Sequence, residues 1–221
     1  MIWDKLVENS NELCSLFDKH FERVEFEKSD FDFEGWTDLF WSSKHIRKCH
    51  LKIIDRREDK KLWLMHINIF PRNGVHLPIL GYDIVSGPGK ITGAFFDYST
   101  PFDHPYSDYL EMSTKSLEWK KERDVPDWGK PIFSSDLIAA GNIREGRELE
   151  QLLDVTMDLT KTYVENIDKN AFEISLDCIE YQNLYCQQQK KNPHLHRSIL
   201  GLGISEEDKD RYVNEVLFEE I

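Results

Sequence analysis

Four apolar runs between residues 49 and 98, joined by turns too short to hold a helix, constrain this chain more than any other feature. Residues 49–54 are followed by a charged turn at 55–61. Residues 62–70 return and stop at Pro71. Residues 77–85 end in Ser86-Gly87-Pro88-Gly89, and residues 90–98 follow, ending before Pro101. Parallel neighbours need crossovers of about a dozen residues or more, so successive strands with short connections make an antiparallel sheet. A further short strand is expected within 133–140.

Helical periodicity frames the sheet. Residues 3–21 carry Leu6, Leu13, Leu16 and Phe17 at helical spacing among polar residues. A second helix is expected over 107–121. A third, over 145–166, has Leu149, Leu152, Leu153, Thr156, Leu159 and Tyr163 on one face. Residues 171–191 and 206–218 complete the set, the last behind a Ser205 cap. Residues 27–36, acidic and aromatic, read as a loop or edge segment. The pattern is an α+β chain forming one domain over 1–221, with helices laid on one antiparallel sheet.

Composition excludes several function classes. Apolar residues make up 40% of the chain, enough for a core. The formal charge of −13 does not favour nucleic acid or an anionic membrane, both of which need a basic footprint. No run approaches the roughly 18 apolar residues of a membrane span. The N-terminus has no basic and apolar leader pattern, so a cytoplasmic location is expected. Cys14, Cys49, Cys178 and Cys186 are scattered, without the clustering of a zinc or iron–sulfur site. No long apolar stripe is left over, and a monomer is expected.

Motifs for dinucleotides, P-loops, nucleophile elbows and zinc proteases are absent. What stands out is titratable chemistry inside apolar strands: His50, His66 and Asp83. A lone strand histidine is usually structural. A carboxylate between Tyr82 and Ile84-Val85 is harder to dismiss, because burial costs several kcal/mol unless it is paired. If His66 and Asp83 lie on adjacent strands, their side chains meet across the pair and can hold and donate a proton.

Several segments occur in an order that resembles the ferredoxin-dependent bilin reductases. They are Ile46-Arg47-Lys48-Cys49-His50-Leu51, Met65-His66 leading to Phe70-Pro71, and Gly81-Tyr82-Asp83-Ile84-Val85-Ser86-Gly87-Pro88-Gly89. Pro126-Asp127-Trp128-Gly129, Tyr185-Cys186-Gln187-Gln188-Gln189 with Lys191-Asn192, and Val216-Leu217-Phe218 follow. The resemblance runs from about Trp36 to the C-terminus. It implies a three-layer α/β/α sandwich that binds biliverdin IXα between the sheet and the C-terminal helices. It also implies no bound flavin, nicotinamide or metal, with single electrons delivered by transient docking of ferredoxin. By motif position Asp83 matches the central proton donor, His66 its partner and His50 a second active-site histidine. Thr92, Arg123, Gln189 and Arg197 match propionate or pocket contacts, and Asn192 a pocket asparagine.

Two departures bear on the product. Phycocyanobilin-forming members carry a glutamate two residues after the first histidine, where this chain has Lys52. A lysine there can line the site, but acts as an acid only after a large pKa shift. Related enzymes have an aspartate after the asparagine, where this chain has Pro193. One aspartate and two histidines remain, a pattern similar to phage-type members that reduce biliverdin through 15,16-dihydrobiliverdin to phycoerythrobilin. Phycocyanobilin or 15,16-dihydrobiliverdin as end product, and a non-catalytic bilin carrier, are the alternatives. Docking an acidic ferredoxin needs a local basic face. Candidates are Lys44, Arg47, Lys48, Lys52, Arg56, Arg57, Lys60 and Lys61; Lys115, Lys120, Lys121 and Arg123; and Lys190, Lys191 and Arg197.

Overall fold

The short turns close as antiparallel hairpins. In the computed structural model, which describes residues 1–26, 31–173 and 178–221, seven strands form one antiparallel sheet. They are β1 (Glu22–Val24), β2 (Trp36–Ser42), β3 (Ile46–Arg56), β4 (Leu62–Pro71), β6 (Ile79–Gly87), β7 (Lys90–Ser99) and β8 (Ile138–Ala140), lying side by side in that order. Strand β5 (Val75–His76) instead pairs with β9 (Phe172–Glu173) in a separate two-stranded ribbon. The β6–β7 turn is Pro88-Gly89, with Gly89 at φ 78°, a left-handed conformation that glycine adopts without strain.

Helices cover both faces, giving the expected three layers. Behind the sheet lie α1 (Ile2–His20), α2 (Pro105–Thr114), α3 (Arg147–Glu165) and the short α4 (Ile167–Asn170). Leu6, Leu13, Leu16 and Phe17 of α1, and Leu149, Leu152, Thr156, Leu159 and Tyr163 of α3, are buried against strand residues such as Leu51, Ile67, Tyr82 and Phe96. Buried tyrosine hydroxyls peg this layer to the sheet. Tyr98 donates to the Leu159 carbonyl at 2.5 Å, Tyr106 to that of Tyr163 at 2.8 Å, and Tyr163 to that of Pro78 at 2.7 Å. Each bond satisfies a polar tip that burial would otherwise leave without water.

In front lie α5 (Ile179–Gln189), α6 (Pro193–Gly201), α7 (Glu206–Arg211) and a π-helical turn over Tyr212–Leu217. A second core forms there from Phe40, Phe70, Ile79, Tyr185, Cys186, Ile199, Tyr212 and Phe218. The π-turn is anchored by Lys48, whose buried ammonium donates to the Val216 carbonyl at 2.7 Å. The C-terminal residues are tied to α5 by Lys190 and Gln187 on Glu220, both at 2.7 Å.

Several elements differ from expectation. The loop expected over 27–36 ends one residue early, because β2 begins at Trp36, and residues 27–30 lie outside the described residues. Helix α2 stops at Thr114 instead of running to 121, because residues 121–123 cross to β8: Arg123 N donates to the Ala139 carbonyl and Gly141 N to that of Lys121. Strand β8 is only the end of the expected 133–140 run. The expected helix 171–191 begins at Ile179, and residues 174–177 lie outside the described residues. Pro193 starts a new helix, α6, at the position where its missing N–H does no harm. Ser205 caps α7 as expected, its Oγ accepting from Asp208 N at 3.0 Å.

Candidate active site

Side chains alternate along a strand, so cross-strand register decides which residues share a face. Asp38 stands opposite Lys52, Lys52 opposite His66, and His66 opposite Asp83. Four ionisable residues on four adjacent strands therefore form one row on the front face. The next row holds Phe40, His50, Asn68, Gly81 and Asp97. On the other side of the ionisable row, Leu64 and Val85 are half-buried, as is Phe95 opposite Asp83. They make an apolar floor that the front helices do not fully cover.

The expected meeting of His66 and Asp83 is realised. His66 Nδ1 lies 2.5 Å from Asp83 Oδ1. The histidine side chain is 10% exposed and the aspartate 36%, so the carboxylate faces the open part of the floor. His66 Nε2 is 2.7 Å from Asn68 Nδ2. With the Asn68 amide donating there, His66 carries its proton on Nδ1 and gives it to Asp83. The opposite end of Asn68 is set by Tyr185, whose hydroxyl lies 3.4 Å from Oδ1 and accepts from Gln189 Nε2 at 3.0 Å. Gln189 thus joins the site through Tyr185 and Asn68. Gly81 permits this: a Cβ there would sit 2.8 Å from the Tyr185 hydroxyl. Phe218 closes over His66 edge-on, with ring centroids 5.7 Å apart.

A second carboxylate–histidine pair lies beside the first. His50 Nε2 is 2.6 Å from Asp38 Oδ1, which also accepts from the Tyr212 hydroxyl at 2.5 Å. The His50 ring stacks on Phe40 at 4.3 Å and meets the His66 ring edge-on at 6.3 Å. Burial drives the His50 pKa down to about 4 against the opposing pull of Asp38, so the ring is neutral. Burial pushes the Asp38 carboxyl up, but the hydrogen bond from His50 and the charge of Lys52 help bring it below its ordinary value. The sequence reading missed Asp38, Asn68 and Tyr212. The alternation Trp36, Asp38, Phe40 was a strand signal that would have put Asp38 on the face of His50.

Lys52 is 2% exposed, and its ammonium lies 3.6 Å from the Trp36 ring centroid and 4.1 Å from that of Tyr212. Burial lowers its pKa from 10.5 to about 7, against the charges of Asp38 and Asp83. The large shift that a lysine acid requires is therefore present.

The remaining candidates sit farther out. A bulge in the β6–β7 pairing lets Thr92 Oγ1 donate to the Val85 carbonyl at 3.0 Å, and the Arg123 guanidinium donates to the Thr92 carbonyl. These two come together at the sheet's end. Asn192 caps α6, its Oδ1 accepting from His194 N at 3.0 Å. Arg197 is exposed and its Nε donates to the Pro193 carbonyl at 3.1 Å. Among the described residues, neither Asn192 nor Arg197 makes a hydrogen bond or ion pair to the ionisable row. Within the basic segment 44–61, Lys48 and Lys52 are buried. Arg47 donates to Gln182, and Arg56 and Arg57 pair with Asp59 and Asp55, which leaves Lys44, Lys60 and Lys61 exposed. Among the described residues no group of three or more His, Cys, Asp and Glu is spaced to hold a metal ion, and no helix is long and apolar enough to cross a membrane.

The site is thus a carboxylate–histidine pair on a half-covered apolar floor, carried by an antiparallel sheet between two helical layers. The family model for ferredoxin-dependent bilin reductase matches residues 15–219, and the chain belongs to that family of oxidoreductases. The phycocyanobilin:ferredoxin oxidoreductase of Prochlorococcus marinus is 30% identical over 186 residues, covering 80% of this chain and 72% of that protein. A Synechococcus enzyme of the same name is 31% identical over 189 residues, covering 81% and 74%. Among solved structures, PcyX superposes with a TM-score of 0.70 at 25% identity, covering 98% of this chain and 99% of that one. Tomato phytochromobilin synthase, solved with biliverdin, shares the fold at a TM-score of 0.68 and 15% identity, covering 98% and 82%.

Proposed function

We propose that this chain reduces biliverdin IXα in two successive two-electron steps, through 15,16-dihydrobiliverdin to phycoerythrobilin. The observation that carries the reading is the Asp83–His66 pair, a 2.5 Å contact at the margin of the floor formed by Leu64, Val85 and Phe95. Each step adds two electrons and two protons to the bilin. The electrons arrive singly from docked ferredoxin, with no bound cofactor in the path, and the protons come from the protein. The extended π system of the bilin accepts the electrons, so the protein's work is to hold the substrate, exclude water and place an acid.

The pair is built for that work. Asp83, more open than His66, presents its carboxyl to the substrate face, while His66 behind it exchanges the proton through Nδ1. Asn68 holds the far side of the imidazole. With its amide turned over, Asn68 would accept from Nε2–H, so the same residue can support both the neutral and the protonated ring. The product assignment rests on the absence of a carboxylic acid at Lys52 and at Pro193.

Anaerobic turnover with biliverdin IXα, ferredoxin and its reductase, with chromatographic separation of products, tests the reading. Phycoerythrobilin formed after transient 15,16-dihydrobiliverdin is expected. Asp83→Asn should bind biliverdin and lose turnover by about 100-fold or more, the usual range for a removed general acid. Phycocyanobilin, arrest at dihydrobiliverdin, or full activity in Asp83→Asn would overturn it.

A further inference from the structure

Lys52 is an unusual way to bury an ammonium. Its charge lies over two aromatic faces, Trp36 and Tyr212, and no hydrogen-bond acceptor among the described residues takes any of its three N–H groups. Cation–π contact offsets part of the desolvation but does not use the donors. A lysine retained only for structure would normally end on a carbonyl, as Lys48 does on Val216 four residues earlier.

Its position gives those donors a use. Lys52 stands between Asp38 on β2 and His66 on β4, with Asp83 one strand farther on. The titratable groups facing it are Asp38, His50, His66, Asp83 and, from the π-turn, Tyr212. Of these His50 is neutral and Tyr212 keeps its proton, held well above the ordinary range by burial. The charges of Asp38 and Asp83 raise the lysine's proton affinity against the larger effect of burial. A bilin lying on the floor would cover the exposed part of Asp83 and cut that pair off from solvent. Once the pair, protonated on both Asp83 and His66, has given the two protons of the first step, it must be refilled from inside the protein before the second.

We propose that Lys52 is a proton-relay residue that reloads the Asp83–His66 pair between the two reduction steps. The inference rests on the proposed two-step reduction. In the transfer one N–H bond of the Lys52 ammonium breaks and one bond to hydrogen forms on the Asp83–His66 pair. The lysine becomes a neutral amine and no electron moves; solvent then reprotonates the amine, so that two such transfers supply both protons of the second step. The aromatic cage tolerates both forms, since it offers no acceptor that would be stranded. Asp38 is the positioning residue of the relay: its negative charge raises the proton affinity of the resting lysine. A proton affinity near neutrality, about 7, suits a group that must give and regain a proton at working pH.

Two variants and one titration test this. Lys52→Arg keeps the charge but not the ability to deprotonate; Lys52→Met keeps the length but not the charge. In single-turnover experiments both are expected to slow the second step about 100-fold more than the first, so that 15,16-dihydrobiliverdin accumulates, and equal slowing of both steps would overturn the proposal. The pH profile of the second step should lose the limb that falls above about 7. Wild-type rates and pH profile in both variants would overturn the proposal. Independently of turnover, carbon-13 NMR of lysine-labelled protein should show Lys52 titrating near 7, and a lysine still charged above about 9.5 would overturn it. If the wild-type protein leaves biliverdin unreduced, the functional reading fails on that result. The titration then still decides whether the caged lysine exchanges its proton near neutrality.

Discussion

Replacing Asp97 by asparagine probes how the front face is held together. Asp97 lies in the His50 row, on β7 beside Gly81, and is 2% exposed. Its Oδ2 accepts from Ser134 N at 3.0 Å and its Oδ1 from Ser134 Oγ at 2.5 Å, fixing the segment before β8. Asparagine can keep both contacts, accepting with its oxygen and donating with its nitrogen. Burial raises the Asp97 pKa from 3.8 to about 6, against the Ser134 hydrogen bonds. A folded-state value above the unfolded one means the folded protein holds this proton more tightly. The stabilisation is therefore full below about pH 4 and is lost as pH rises through about 6. A hundredfold change in proton affinity corresponds to about 3 kcal/mol. The stability of Asp97→Asn relative to wild type should thus improve by about 2 kcal/mol between pH 4 and pH 7. Urea unfolding of both proteins across this range measures the difference, and the other titrating groups, His50 included, cancel because both proteins carry them. A difference that stays constant to within about 1 kcal/mol would show that Asp97 is not desolvated as its burial implies.

Two further outcomes follow from the geometry. Gly81→Ala puts a methyl group 2.8 Å from the Tyr185 hydroxyl, and urea unfolding should show a loss of about 1–3 kcal/mol, with weakened biliverdin binding as the Tyr185–Asn68 contact opens. Ferredoxin-dependent turnover should fall steeply as salt rises above about 0.1 M, and neutralising the exposed Lys60 and Lys61, or Lys120 and Lys121, should raise the KM for ferredoxin while leaving biliverdin binding unchanged.

Much of the architecture was legible because antiparallel hairpins are local. The runs around His66 and Asp83 are bounded by Pro71 and by Ser86-Gly87-Pro88-Gly89, so their pairing and shared face follow from adjacent segments of chain. The periodic helices behind the sheet were legible for the same reason. What escaped depends on residues distant in sequence. Lys48 and Lys52 read as surface cations because nothing near them reveals that Phe26 and Phe70, or Trp36 and Tyr212, will cover their ammonium groups. Asp38 was hidden because its partners, His50 and Tyr212, come from 12 and 174 residues away. The break at Lys190–Asn192 was masked by amide-rich residues that fit either a helix end or a turn between two helices.

The row Asp38–Lys52–His66–Asp83 exists only while three strand pairings keep their register. Such a site behaves like a reading frame. A one-residue deletion within β3, β4 or β6 does not move a side chain slightly; it turns every residue beyond it on that strand toward the opposite layer. Length changes in the connections at 57–61, 72–74 and 88–89 would cost no phase. Insertions elsewhere in these strands would act as frameshifts do in a gene, erasing the chemistry while sparing most of the composition.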